Sequence, residues 1–387
     1  MKMATRWRVL IFVYISMLAF AVIFQAIPPL LGMIIESLKI SHAQAGALMS
    51  FFALPGILIS IPGGILADIY GPKKVGVVAL SFAILGSLLV GLSSGLPLMI
   101  AGRFIAGVGA LTIAIIAPLT LSRWFTKEDL GIAMGIFNTA VPVGTIFTLN
   151  VFGRLASVWS WRGPILLTAA ISLFVLLLFI FRHPGLPPEQ AQEKQKLKER
   201  VLSLTKTGWP VWLASAVWMM YNAAAISFLT FAVNYYTSVG YDVAYAGFLT
   251  SLFMIGSLLF SPVVGYLTDK WGKEEFFIAG GSAALGGLLL LVPRTGLNPL
   301  ILVSLIGFTA AFVPPPVFSL IPKFLSPTRA GMGFGILSAC LNVGVLLGPF
   351  LVGFSYDQTQ SYLLGFNLMA IFALATTVIA IFLGLYR

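Results

Sequence analysis

The stretch at 63–74, GGILADIYGPKK, concentrates charge in a chain that has little of it. Asp68, Lys73 and Lys74 lie within seven residues, although only 9% of the 387 residues are charged. A related string, GYLTDKWGKEE at 265–275, follows about 201 residues later, and Asp68 aligns there with Asp269. Glycines repeat at nearly the same offset: Gly64, Gly71, Gly135 and Gly144 align with Gly265, Gly272, Gly335 and Gly344. A nearly constant offset in two separate regions predicts two similar halves.

The composition indicates that both halves lie in a membrane. Hydrophobic residues make up 59% of the chain and the mean hydropathy is +1.01, whereas soluble domains are about 45–50% apolar. A helix of about 20 apolar residues crosses the hydrocarbon core of a bilayer. The apolar runs therefore predict an all-α integral membrane protein with twelve transmembrane helices, at roughly 9–31, 44–67, 75–93, 97–121, 131–156, 163–181, 209–234, 244–268, 275–293, 298–321, 331–354 and 361–386.

The positive charges indicate the orientation of the chain. The formal net charge is +11, and 18 of the 23 Lys and Arg residues fall on one side of the predicted spans, four fall on the other, and Arg103 lies within a span. Because basic residues collect in cytoplasmic loops, we expect both termini on the cytoplasmic side of the inner membrane. The basic charge is then a topology signal, and no nucleic-acid partner is expected.

One long polar segment divides the twelve spans evenly. HPGLPPEQAQEKQKLKER at 183–200 opens with prolines and continues with mixed charges. We expect an N-terminal six-helix half at 1–182, a cytoplasmic linker at 183–208 and a C-terminal six-helix half at 209–387. Two parallel six-helix repeats around an axis normal to the membrane are a transporter architecture.

Residues that catalyse reactions or hold metals are sparse. Cys340 is the only cysteine, and it falls inside a predicted span. Since no constellation of His, Asp, Glu or Cys appears at a predicted membrane face, we expect neither an enzyme nor a metal site, and no cofactor. A non-transporting membrane sensor would need a cytoplasmic signalling domain, for which the sequence offers only the short linker.

The repeated loop resembles the signature of a known transporter family. The pattern G-x-L-x-D-x-x-G-x-K-K, between the second and third spans, is similar to the signature loop of the major facilitator superfamily, and the string at 265–275 is a weaker copy. LMIAGRFIAGVGA at 98–110 resembles the family's fourth-helix motif, in which an Arg precedes a Gly by four residues, here Arg103 and Gly107. The resemblance implies two pseudo-symmetric halves that rock around a central substrate site.

The resemblance also implies a gate on the cytoplasmic side. Asp68 would accept hydrogen bonds from the free N–H groups that begin helix eleven, near Gly331, when the transporter opens outward. Gly71 would form the tight turn of the loop with Pro72. A plain positive-inside loop is the alternative interpretation. The gating candidates of the two loops are Gly64, Asp68, Gly71, Lys73, Lys74, Gly265, Asp269 and Gly272.

Arg103 is the one charged residue clearly within a predicted span. A charge inside the membrane is costly unless it is paired or hydrated, so it is a functional candidate by default. Two interpretations remain open from the residues alone. Arg103 binds an anionic or polar substrate in a bidentate way, or it braces neighbouring helices through their backbone carbonyls.

Neutral polar and aromatic side chains provide the other candidates for a substrate site. Trp218 and Asn222 share one face of the seventh predicted helix, and Asn138 aligns with Ser338 at an offset of 200. A buried amide needs partners, which neighbouring helices, water or a solute can supply. The substrate-binding candidates are Gln25, Arg103, Asn138, Trp218, Tyr221, Asn222, Ser338 and Asn342.

Prolines predict a gating bend in the tenth span. VPPPVF at 313–318 contains Pro314, Pro315 and Pro316, and interrupted helices beside a cavity expose carbonyls and allow bending.

The usual proton carrier of coupled transporters is missing, because no Asp or Glu lies at mid-depth and His42 and His183 fall in predicted loops.

The sequence thus predicts a transporter that moves a small organic solute by alternating access. Small-anion uptake or exchange through Arg103 and proton-coupled drug efflux are the alternatives. We expect the protein to work as a monomer in the lipid bilayer, with a small molecule as its partner.

Overall fold

The computed structural model describes residues 2–60, 62–125, 127–182, 208–325 and 330–385. Within them, twelve segments are long and apolar enough to cross a membrane, which confirms the predicted all-α membrane fold. The predicted linker at 183–208 lies outside the described residues except for Gly208. The helices are α1 Lys2–Phe24, α2 Leu31–Leu38, α3 His42–Ile59, α4 Pro62–Tyr70, α5 Pro72–Gly91, α6 Leu96–Trp124, α7 Lys127–Asn138, α8 Ala140–Trp159, α9 Arg162–Arg182, α10 Trp209–Ser238, α11 Val243–Trp271, α12 Glu274–Leu291, α13 Pro299–Ala310, α14 Pro314–Phe324, α15 Ala330–Thr359 and α16 Tyr362–Leu385.

The chain forms two compact units. The first contains Met1–Ala26 and Phe51–Glu199, and the second contains Ile27–Ser50 and Arg200–Arg387. The second unit therefore includes a 3₁₀-helix at Pro28–Leu30, helix α2 and the first half of α3. In the first unit α5 packs against α6 and α9, and in the second α10 packs against α15 and α16.

Several predicted spans are interrupted, and proline explains three of the breaks. A proline lacks the N–H that would bond to the carbonyl four residues earlier, and its ring clashes with that carbonyl. Helix α1 ends at Phe24 before Pro28, α7 ends at Asn138 before Pro142, and α13 ends at Ala310 before Pro314. The sequence analysis predicted the break in the tenth span and made no prediction of breaks in the first and fifth spans.

Small residues let helices approach closely inside each unit. A Cβ added at Gly86 would lie 2.2 Å from the backbone nitrogen of Ala106, so only glycine permits this contact between α5 and α6. In the second unit a Cβ at Gly344 would lie 2.2 Å from the carbonyl oxygen of Met219. Close backbone contact through small residues is the usual way that membrane helices associate.

Candidate functional site

Arg103 binds the end of the first helix. It lies on α6 with 2% of its surface exposed. Its Nη1 donates to the carbonyl of Ile23 at 3.0 Å, and its Nη2 donates to the carbonyl of Phe24 at 3.2 Å. Because the proline at position 28 has no N–H, the Phe24 carbonyl has lost its donor within the helix. The guanidinium supplies that donor, and its positive charge suits the carbonyl-rich C-terminus of α1.

The spacing between Arg103 and Gly107 has a structural reason. A Cβ at Gly107 would lie 2.2 Å from the carbonyl oxygen of Phe52 and 3.0 Å from the ring of Pro55. Glycine therefore lets α3 approach α6 one helical turn from Arg103. That approach sets the Phe52 ring against the guanidinium, with 4.3 Å between Cζ and the ring centroid. Such a cation–π contact stabilises a desolvated charge.

Gln25 directly follows Phe24, the last residue of α1. Its side chain is 1% exposed. Within the described part of the chain, neither its Oε1 nor its Nε2 has a hydrogen-bond partner. A buried amide without partners costs roughly 1–3 kcal/mol. The break in the first span therefore combines a charged guanidinium with an amide whose hydrogen-bonding capacity is unused.

The candidates in the second unit have partners within the protein. The hydroxyl of Tyr221 donates to the carbonyl of Ala310 at 3.1 Å, at the break before Pro314. Trp218 stacks on Tyr221 with 5.4 Å between ring centroids. Asn222 donates from Nδ2 to the carbonyl of Trp218 at 2.8 Å. The hydrogen bond of Tyr221 ties α10 to the interrupted tenth span, whereas the other two contacts lie within α10.

The three remaining polar candidates, Asn138, Ser338 and Asn342, differ in burial, and Ser338 is half-buried. Asn342 is buried and donates from Nδ2 to the carbonyl of Ser338 at 2.9 Å, within α15. Asn138, the last residue of α7, is exposed. The second unit contains two cavities, of about 600 Å³ and about 320 Å³. Tyr236 is among the residues that line the first, and His42 is among those that line the second. None of the predicted substrate residues lines either cavity.

The repeated loop glycines both adopt a positive φ, although their ψ angles differ. Gly71 has φ of +83° and Gly272 has φ of +64°, which L-residues other than glycine adopt with strain. Lys73 is half-buried, whereas Lys74 and Asp269 are exposed. Gly265 lies near the ring of Pro315, with 3.7 Å to the position of an added Cβ. The side chain of Asp68 and the surroundings of Gly64 and Gly331 lie outside what the structure describes.

The prediction that His42 lies in a loop is wrong. His42 is the first residue of α3, and its Nδ1 lies 3.5 Å from a carboxylate oxygen of Asp357. The loop prediction failed because the polar residues around 41–44 hide the helix start. The sequence analysis did not predict a role for Asp357. This residue lies near the end of the eleventh span, as Asp68 lies near the end of the second.

The twelve apolar segments found among the described residues define a multi-pass membrane protein. The model of the Major Facilitator Superfamily matches residues 13–242 and 213–387, and the chain belongs to that family. It is a secondary transporter of small solutes and not an enzyme.

Two curated relatives and one solved structure support this assignment. The probable sulfoacetate transporter SauU of Cupriavidus necator is 25% identical over 356 residues, which is 86% of this chain and 83% of that protein. Monocarboxylate transporter 13 of Rattus norvegicus is 27% identical over 258 residues, which is 66% of this chain and 60% of the relative. The crystal structure of the nucleoside transporter NupG has a TM-score of 0.78 at 16% identity and covers 97% of this chain and 99% of its own.

Proposed function

We propose that the protein carries a small organic acid anion across the cytoplasmic membrane by alternating access. The observation that carries the proposal is the break after Phe24, where the unpartnered amide of Gln25 follows the two carbonyls that Arg103 binds. An anion entering the membrane interior needs a positive charge and hydrogen-bond donors. Arg103 offers the charge, and the Nε2 of Gln25 offers a donor whose desolvation cost the anion would offset.

The relatives support the same class of substrate. The names of two of them specify sulfoacetate and monocarboxylates, which are small organic anions. At 25% and 27% identity these names do not carry over by themselves. They agree with a site whose charged member is an arginine.

The proposed transporter has a defined orientation in the membrane and works as a monomer. The excess of Lys and Arg on one side of the spans supports cytoplasmic termini in the inner membrane. We propose that the six-helix halves at 1–182 and 209–387 move as the two bodies of the cycle, that 183–208 links them, and that a monomer in the bilayer suffices for transport. The loops at 64–74 and 265–272 and the prolines at 314–316 are the proposed gating elements.

The test is uptake by proteoliposomes of a monocarboxylate, an organic sulfonate, a nucleoside, a sugar and a cationic drug, each with and without a proton gradient. The decisive variant is Gln25→Leu, which keeps the volume and removes the amide. We expect the KM for the transported anion to rise about tenfold, which corresponds to ~1.4 kcal/mol. The melting temperature should stay unchanged or rise, since an unsatisfied buried amide has been removed.

Asn150→Leu is the matched control. The Nδ2 of Asn150 donates to the carbonyl of Ile146 within α8 at 2.8 Å, so this amide has a partner in its own helix. The control should leave the KM unchanged. An unchanged KM in Gln25→Leu, or transport of nucleosides and sugars without transport of any anion, would rule the proposal out.

A neutral aromatic solute is the second candidate substrate. Trp218 presents a ring stacked on Tyr221, and Phe318 packs edge-on against it at 5.2 Å between centroids. Such a surface binds flat apolar molecules. If this candidate is correct, Trp218→Ala should weaken uptake of aromatic compounds, and Gln25→Leu should leave their uptake unchanged.

A further inference from the structure

The carboxylate of Asp357 connects two helices of the second unit, α3 and α15. Asp357, near the end of α15, accepts hydrogen bonds from the backbone N–H groups of His42 and Ala43, each at 2.8 Å. These are the first two residues of α3, whose N–H groups have no acceptor within their own helix. The imidazole of His42 adds a contact at 3.5 Å from Nδ1 to Asp357. We call His42, Ala43 and Asp357 the clasp.

Helices α3 and α15 stay in close contact for about two turns from the clasp towards Ser50. A Cβ at Gly353 would lie 2.2 Å from the carbonyl oxygen of His42, and a Cβ at Gly46 would lie 2.3 Å from that of Pro349. Ser50 donates its hydroxyl to the carbonyl of Leu346. The clasp is thus the end of a seam in which only glycine fits at two positions.

Aromatic and amide side chains surround the clasp. The His42 ring packs on Tyr356 with 3.8 Å between centroids, and Asn234 donates from Nδ2 to the hydroxyl of Tyr362 at 2.6 Å. These groups come from α15, α10 and α16. They fix the orientation of the imidazole and exclude part of the solvent from Asp357, whose side chain is 21% exposed. Partial burial strengthens a hydrogen bond to a charged acceptor.

We propose that Asp357 is a positioning residue of the transport cycle. It holds the start of α3 against α15 and thereby stabilises the state that is closed on the outer side, under the orientation proposed above. Opening on that side parts the seam, and the N–H groups of His42 and Ala43 exchange the carboxylate for water. This role depends on Asp357 and on the seam that the clasp ends, and it holds whatever the substrate is.

The test measures the opening directly on the full-length protein in lipid nanodiscs. Spin labels at Glu36→Cys and Leu297→Cys, two exposed positions of the second unit, report a distance in a Cys340→Ser background. Asp357→Asn keeps one acceptor oxygen and loses the charge. We expect the ratio of long-distance to short-distance populations to rise about tenfold, equivalent to ~1.4 kcal/mol.

Asp242→Asn is the matched control. Asp242 also caps a helix, since its Oδ1 accepts from the N–H groups of Ala244 and Tyr245 at 2.9 and 3.0 Å, but these belong to the helix that it begins. This variant should keep the parent distance distribution. Ser50→Ala, which deletes one hydroxyl of the seam, should shift the distribution in the same direction as Asp357→Asn by a smaller factor.

Two outcomes would overturn the proposal. One is a parent-like distribution in both Asp357→Asn and Ser50→Ala. The other is an equal shift in Asp242→Asn, which would mean that any lost helix cap has this effect. If Asp357→Asn does not yield folded protein, Ser50→Ala decides alone, and its failure to shift the distribution contradicts the role of the seam.

Discussion

Replacing Arg103 by lysine separates the two roles that the sequence left open for this residue. Lysine keeps the positive charge but replaces the planar fork of donors with a compact, strongly hydrated ammonium group. The guanidinium now bonds to the carbonyls of Ile23 and Phe24 and packs on the ring of Phe52. A single shorter ammonium reaches at most part of this arrangement.

The expected cost follows from those contacts. At least one hydrogen bond from a charged donor is lost, at roughly 1.5–3 kcal/mol, together with part of a desolvated cation–π contact of about 2 kcal/mol. We expect Arg103→Lys to lower the free energy of unfolding by ~2–4 kcal/mol. At about 2–4 °C per kcal/mol for a body of this size, the melting temperature should fall by roughly 4–16 °C.

The assay is thermal unfolding of the purified protein, followed by intrinsic fluorescence, beside substrate uptake. Arg154→Lys is the control, since Arg154 is exposed on α8 of the same unit, and it should change stability by less than about 0.5 kcal/mol. If Arg103→Lys melts like Arg154→Lys but raises the KM for an anion, Arg103 serves the substrate and the bracing argument fails.

Two further changes test the packing and the charges of the two units. Gly109→Ala should destabilise the protein by about 1–3 kcal/mol, because its Cβ would lie 2.2 Å from the carbonyl oxygen of Ala79 and overpacking has that cost. Gly135→Ala, with open space around its Cβ, should not lower the melting temperature. Lys323→Met should destabilise by about 1–3 kcal/mol, since it removes a charge that pairs with the fully buried Glu274, and Lys323→Arg should restore most of the loss. A Lys323→Met protein as stable as the parent would show that this ion pair contributes nothing net.

The sequence predicts the architecture of this protein well because its signals are local or periodic. Apolar runs long enough for a bilayer predict twelve spans, and twelve are present among the described residues. The repeated glycines at 71 and 272 both adopt positive φ, although Gly71 precedes a helix and Gly272 follows one. The start of α3 was missed because Ser41, His42 and Gln44 carry polar side chains that also suit a loop.

The candidate site was only partly predictable, and the prolines explain where the limit lies. From the sequence alone, Pro28 and Pro314 remove the donors for the carbonyls of residues 24 and 310. These two prolines do not determine which side chain replaces the lost donors. The tertiary structure assigns Arg103 to the first and Tyr221 to the second, through contacts between residues about 80 to 90 positions apart.

The sequence by itself determined the membrane fold and the break in the tenth span, since each depends on a residue and its near neighbours, and comparison of the two halves of the sequence revealed the repeat. Only the tertiary structure decided how polar groups are paired: it gave the amide of Gln25 no partner among the described residues and brought Asp357 to the start of α3 across more than 300 residues. A hydrogen bond depends on separations of a few tenths of an ångström, and those are set by how helices pack.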